Sequence, residues 1–148
     1  MQIVIGSDHA GYHLKQELAQ WLRQSGYCVD DVGSHSPDPV DFPDIAFVVC
    51  SKIRENIGFR GLLVCGTGVG AVIASNKVNG IRAAVCHDVH SAHQAVEHDD
   101  VNVMCLGAQI VGPWLARDLI EAFLKAEFVR DDDFIRRVEK LSQLEQRN

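Results

Sequence analysis

The sequence predicts an α/β fold with a five-stranded parallel sheet, and three observations carry the prediction. Short β-rich runs alternate with helical patterns five times, the signature of strands joined by right-handed helical crossovers. The chain has 148 residues, enough for one core of ordinary size, so 1–148 is expected to form a single domain. Its composition, 47% hydrophobic and 23% charged, belongs to a globular protein and not to a disordered chain.

Strands are expected at 2–5, 27–32, 61–64, 82–86 and 101–106. Between the first two, Leu14, Leu18, Trp21 and Leu22 recur at helical spacing, and Ser25-Gly26 supplies a stop. Residues 33–43 hold three prolines and several polar residues, and read as a loop over the sheet edge or a wall of a site. A helix at 45–53 follows Pro43, a good first-turn residue. The next pattern, 69–77, is small and apolar and precedes an Asn79-Gly80 turn; 88–97 is short; 111–126 carries Trp114, Leu115, Leu119, Ile120 and Phe123. At the C-terminus Asp131-Asp132-Asp133 precedes Ile135, Val138, Leu141 and Leu144, an apolar residue at every third position. That helix has one apolar stripe, which either covers the chain's own core or packs on a second subunit.

Fourteen basic against twenty acidic residues, a formal charge of −6, argue against a nucleic-acid or anionic-membrane surface, whose affinity comes from clustered cations. Met1 to Ile5 is a short apolar run that ends at once in Gly6-Ser7-Asp8-His9, unlike a secretory signal, and no apolar stretch reaches the length of a membrane span. Cys28, Cys50, Cys65, Cys86 and Cys105 are odd in number and lack zinc-ribbon or C-x-x-C spacing. They read as free thiols, and the cytoplasm is the expected compartment.

In a parallel sheet, binding groups collect beyond the carboxyl ends of the strands. Three segments are unusual: Gly6-Ser7-Asp8-His9-Ala10-Gly11 after the first strand, Cys65-Gly66-Thr67-Gly68-Val69-Gly70 after the third, and His98-Asp99-Asp100 before the fifth. Acid, imidazole and thiol are expected to converge on one face. Glycines at 66, 68 and 70 let backbone amides approach an anion at the start of the following helix. That anion is either a phosphate or one formed during reaction, such as an enediolate. For the first, Gly66, Gly68 and Ala71 match a loose dinucleotide fingerprint with Asp88 as ribose acceptor, but the fingerprint belongs to a first βα unit and here lies in the third. The second accounts for Cys65, a thiol placed at a strand end to act as nucleophile or base. A buried cysteine is more often an inert small hydrophobe, and here the glycine context argues for chemistry. A Walker loop fails for want of Lys-Ser/Thr. A cysteine phosphatase would need an arginine closing the loop and meets Ala71. A Cys-His hydrolase stays open, with His9, His87, His90, His93 and His98 all available. Asp8-His9 has no second ligand pair at recognisable spacing, so no metal is expected, and a helix-capping turn explains Asp8 as well. His98 reads equally as a solvated helix end.

Taken together, the first two segments, Ala74-Ser75-Asn76-Lys77, Gly80-Ile81-Arg82-Ala83, and His98 with Asn102-Val103 and Leu106-Gly107 resemble the ribose-5-phosphate isomerase B family over nearly the whole chain. The wider group includes galactose-6-phosphate isomerase subunits and enzymes of allose or tetrulose phosphates. The resemblance implies a Rossmann-like three-layer sandwich with a C-terminal helix packing on a partner subunit. It also implies a homodimer or homotetramer with shared sites and cofactor-free aldose–ketose isomerisation through a cis-enediolate. By the same resemblance Cys65 is the base with Thr67 beside it. The amides of Gly66, Gly68, Val69 and Gly70 stabilise the enediolate, His98 opens the sugar ring, and Asp8 binds or shuttles protons among hydroxyls. His9, Asp99, Gln109 and Arg137 complete the substrate site. Three departures stand out. Asp99 replaces an asparagine, Gln109 replaces an arginine in Gly107-Ala108-Gln109-Ile110-Val111-Gly112, and in the tail Asp133 replaces an arginine, which leaves His9 and Arg137 of the family's phosphate clamp unless a one-residue shift of the tail brings Arg130 or Arg136 into it. The expected activity is therefore isomerisation of a sugar or sugar phosphate whose identity is open. The alternatives are an isomerase of a different or unphosphorylated sugar and, outside the enzymes, a nucleotide-binding or regulatory module.

Overall fold

A computed structural model describes residues 1–147; Asn148, the last residue of the expected domain, lies outside the described residues. The elements run β1 (Gln2–Ser7), α1 (Tyr12–Gln24), β2 (Cys28–Asp31), α2 (Phe42–Glu55), β3 (Arg60–Cys65), α3 (Val69–Ser75), β4 (Ala83–Val85), α4 (Val89–Asp99), β5 (Val103–Gly107), α5 (Pro113–Lys125) and α6 (Asp132–Glu145). All strands are parallel, in the order β2-β1-β3-β5-β4.

Successive side chains of a strand point to opposite faces, and here both faces are apolar. Ile3, Ile5, Leu62, Val64, Met104 and Leu106 pack against α1, α4 and α5. Val4, Leu63, Cys65, Val103 and Cys105 pack against α2 and α3. The result is the expected three-layer sandwich. β1 leads into one helical layer and β3, its neighbour, into the other, so a crevice opens beyond their carboxyl ends.

The strand boundaries move for pairing reasons. β1 and β3 run on to Ser7 and Cys65 because Gly6 pairs with Leu63, Ser7 with Val64 and Cys65 with Gly107. β5 begins at Val103, two residues later than expected, because Asn102 is a staple: its Nδ2 donates to Gly80 O and its Oδ1 accepts from Arg82 N, both at 2.9 Å. Lys15, absent from the apolar pattern of α1, is wholly buried; its Nζ donates to both oxygens of Asp31 and to Ser34 O, each at 2.8 Å. It ties the loop after β2 onto α1. α6 does not cover the chain's own core. None of its residues is buried, and Leu141 and Leu144 remain 43% and 52% exposed. The stripe stands partly uncovered because α6 touches the fold chiefly through α4, near the end of that helix.

Candidate active site

The crevice is built from the turns that follow β1 and β3. Asp8 is only 9% exposed and its Oδ1 accepts from Gly11 N at 3.0 Å, so one carboxylate oxygen shapes the turn into α1. Gly11 must be glycine, since a Cβ there would lie 2.1 Å from Val64 O. This close approach seats the turn directly against the residue before Cys65. His9 accepts from Val40 N at its Nδ1, 3.3 Å away, which leaves Nε2–H free and makes the loop before α2 a wall of the site; the expected loop stops short of Phe42, where the helix begins.

Cys65 is the last residue of β3, 6% exposed, and its Sγ accepts from Gly68 N at 2.9 Å. Gly68 reaches that position with φ +82°, in the left-handed region that glycine enters without strain. Val69 N donates to Thr67 Oγ1 at 3.3 Å. Two amides of the loop are thus engaged internally, and among the described residues those of Gly66, Thr67 and Gly70 meet no backbone acceptor. Residues 107–109 strap the loop from behind. Ala108 N donates to Cys65 O at 2.7 Å, Gln109 N donates to Gly66 O at 3.0 Å, and a Cβ on Gly107 would strike the Thr67 backbone at 2.7–2.8 Å. The Gln109 carboxamide itself flanks Gly66, 3.2–3.3 Å from where a Cβ would stand. On the other side the Phe42 ring presses on Gly70, leaving only 2.9–3.1 Å to the place a methyl group would take.

The structure sorts the five imidazoles. His87 follows β4 on the thiol's own edge, and its Nε2 accepts from Gly107 N at 2.9 Å, which holds the strap. His90 meets Gln94 and His93 meets Glu97, both along the α4 surface. His98 lies elsewhere. α4 runs antiparallel to the strands, so its last turn, with His98 and Asp99, ends at the amino edge of the sheet. There His98 stacks on Phe134 of α6, centroids 4.2 Å apart and planes 19° apart, and the Arg137 guanidinium lies 5.8 Å from the same ring. The expected convergence of acid, thiol and His98 on one face therefore does not occur within one chain. A residue that precedes a parallel strand sits at the opposite edge from one that follows it.

Other expectations are corrected by local bonding. The Asp88 carboxylate accepts from Ser91 N and Oγ, both at 2.7 Å, and caps α4, so it is not placed as a ribose acceptor. The Ser91 bonds hold it below the usual carboxylate range. Asp133 pairs with Arg136 at 2.6 Å, and that guanidinium likewise holds its carboxyl below the usual range. Arg137 lies 3.7 Å from the same carboxylate. Arg130 lines a separate cleft beside Arg60. Sequence patterning does not single out Phe42 and places His87 only among five equivalent histidines. The one available signal for Phe42 is its place beside Pro43, at the end of the stretch expected to wall the site. Among the described residues, no helix is long and apolar enough to cross a membrane.

A family model described as Ribose/Galactose Isomerase matches residues 3–141. The chain is 43% identical to a D-erythrulose-4-phosphate isomerase of Pectobacterium atrosepticum over 86% of this chain and 85% of that protein. It is 38% identical to ribose-5-phosphate isomerase B of Escherichia coli over 99% and 97%. Among solved structures it is similar to ribose-5-phosphate isomerase B of Clostridium thermocellum, with a TM-score of 0.95, 44% identity and 99% coverage of both chains. The Mycoplasma genitalium ribose-5-phosphate isomerase B with bound ribulose-5-phosphate superposes with a TM-score of 0.94 at 36% identity, covering 99% of this chain and 97% of that one.

Proposed function

The chain belongs to the ribose/galactose isomerase family, and on that premise we propose that it interconverts a small aldose and its ketose with Cys65 as the proton-transferring base. It is an intramolecular oxidoreductase: one carbonyl is reduced as the neighbouring carbinol is oxidised, with no external redox partner. The Cys65 thiolate takes the proton from C2 of the aldose and returns it to C1, and the C1 carbonyl becomes the C2 carbonyl through an enediolate. Donors at the developing oxygens act where charge forms and are each worth a few kcal/mol. The unpaired amides of Gly66, Thr67 and Gly70 are the available ones. Thr67, two residues along the same loop, assists the base, and Asp8 binds the sugar hydroxyls or passes protons among them. The single observation that supports this reading is the nearly buried Cys65 Sγ under the Gly68 amide, on a loop strapped by residues 107–109.

Ring opening requires an acid at the ring oxygen, and that task falls to His98. Because His98, Asp99 and Arg137 lie at the amino edge of their own chain, a complete site joins Cys65 of one copy to His98 of a second. The assembly is a homodimer or a pair of dimers, and the uncovered stripe of α6 contributes to the contact. The same departures that mark the sequence thin the phosphate clamp to His9 and Arg137, so the preferred substrate is unphosphorylated or carries its phosphate in a different place from ribose 5-phosphate.

The test is turnover of aldoses with and without a terminal phosphate, by the wild type and by Cys65→Ala. The variant should keep the fold and ligand binding and lose at least about 100-fold in kcat. Wild-type turnover in Cys65→Ala would exclude the thiol as base.

A further inference from the structure

We propose that the cleft at the amino edge of the sheet, between the end of α2, the start of β3 and the entry to β5, is a binding site for a phosphate-bearing small molecule. Its volume is about 430 Å³, and four guanidiniums line it, those of Arg54, Arg60, Arg82 and Arg130, against the single carboxylate of Asp100. In a chain with only 14 basic residues and a net charge of −6, that concentration stands against the overall field. The volume lies within the range of small-molecule sites.

The four arginines divide by role. Arg60 and Arg82 are fixed walls. Arg60 donates to Val101 O and Ala126 O, each at 3.2 Å, and lies over the Phe123 ring at 5.1 Å. Arg82 donates from Nε to Asp100 O at 2.8 Å and from its terminal nitrogen to Asp100 Oδ2 at 2.5 Å. That pair also consumes the only acid in the lining. Burial lowers the pKa of Arg60 from its usual value, so an anion nearby would relieve a desolvated charge. Arg54 and Arg130 are exposed, and among the described residues the guanidinium of neither has a hydrogen bond or ion pair. Two free planar guanidiniums at the mouth of a cleft with a fixed cationic wall suit a phosphate dianion, which accepts bidentate, charge-assisted bonds. The floor is rigid, since Asn102 bridges Gly80 and Arg82, and the stem of Arg54 passes 3.7 Å from the Cβ position of Gly80.

Amide NMR of the full chain, titrated with inorganic phosphate and separately with adenosine monophosphate, tests this. Saturable shifts at Gly80 and Asn102 are expected, with the tighter of the two probes identifying a free phosphate or a phosphate ester as the ligand. The double variant Arg54→Gln/Arg130→Gln should weaken that saturation at least tenfold while keeping the amide spectrum of the fold, and His9→Asn should leave it unchanged. Shifts confined to residues 66–70, saturation that survives the double variant, or unsaturable shifts spread over the surface would each overturn the proposal.

Discussion

At position 109 a carboxamide occupies the place where the family resemblance implies a guanidinium, and it lies against Gly66 at the rim of the thiol loop. A carboxamide donates hydrogen bonds without charge, whereas bonds from a charged donor are worth about 1.5–3 kcal/mol. Gln109→Arg should therefore lower the Michaelis constant for ribose 5-phosphate by an amount equivalent to about 1–3 kcal/mol. Steady-state kinetics on both proteins decide it. A wild type that already saturates at micromolar ribose 5-phosphate, or a variant with an unchanged constant, would show that another cation holds the tail. The placement of Cys65 at the end of β3 was legible, since an apolar β-rich run stops there against alternating glycines. Lys15 was not legible. Its burial depends on Asp31 and Ser34, which arrive from 16 and 19 residues away.

At the scale of elements, α4 determines where His90, His93 and His98 stand. Its antiparallel run carries His98 away from Cys65 and onto Phe134 of α6, and the two helices together present an imidazole and the Arg137 guanidinium. If His98 is the ring-opening acid, its removal matters only for substrates that close a ring. His98→Asn should cripple turnover of a pentose phosphate and spare a four-carbon substrate that cannot form the same ring. Equal losses on both would assign His98 to the proton-transfer step or to packing alone. The strap at 107–109 was half visible in the sequence. Leu106-Gly107 stood out, but its contact with Thr67 depends on β5 lying beside β3, an order that no local pattern encodes.

For the whole molecule, the proposed sharing of each site between two copies has a direct consequence. Cys65→Ala and His98→Asn chains, each inactive on a ring-forming substrate, should regain activity when unfolded and refolded together. A mixed dimer has one doubly altered site and one intact site, so random pairing should restore about a quarter of wild-type activity. No recovery would place Cys65 and His98 in separate functions. The core sets a second expectation. Burial, with a smaller contribution from Asp88, pushes the Cys86 thiol from 9.0 up to about 11. A thiol that stays protonated longer in the folded state contributes stability below its unfolded value, and loses it as pH rises toward the folded one. Wild-type stability should thus fall between about pH 9 and 11 more steeply than that of Cys86→Ala, by up to about 2–3 kcal/mol. Urea unfolding across that range measures the difference, and parallel curves would refute it.

Sequence by itself determined the succession of strands and helices, the mostly apolar strands that a sheet covered on both faces requires, and the thiol-bearing glycine loop. These are written in periodicity, turn chemistry and residue type over a few neighbouring positions. The tertiary structure alone decided that β5 lies between β3 and β4, that α6 leaves its stripe uncovered, and that His98 and Cys65 stand at opposite edges of one chain. It also gathered Arg54, Arg60, Arg82 and Arg130 around one cleft from four separate stretches of sequence. The physical reason is that a strand pattern specifies what must be buried but not which strand lies beside it. Strand order and the direction of each crossover are fixed only when both faces of the sheet are covered at once.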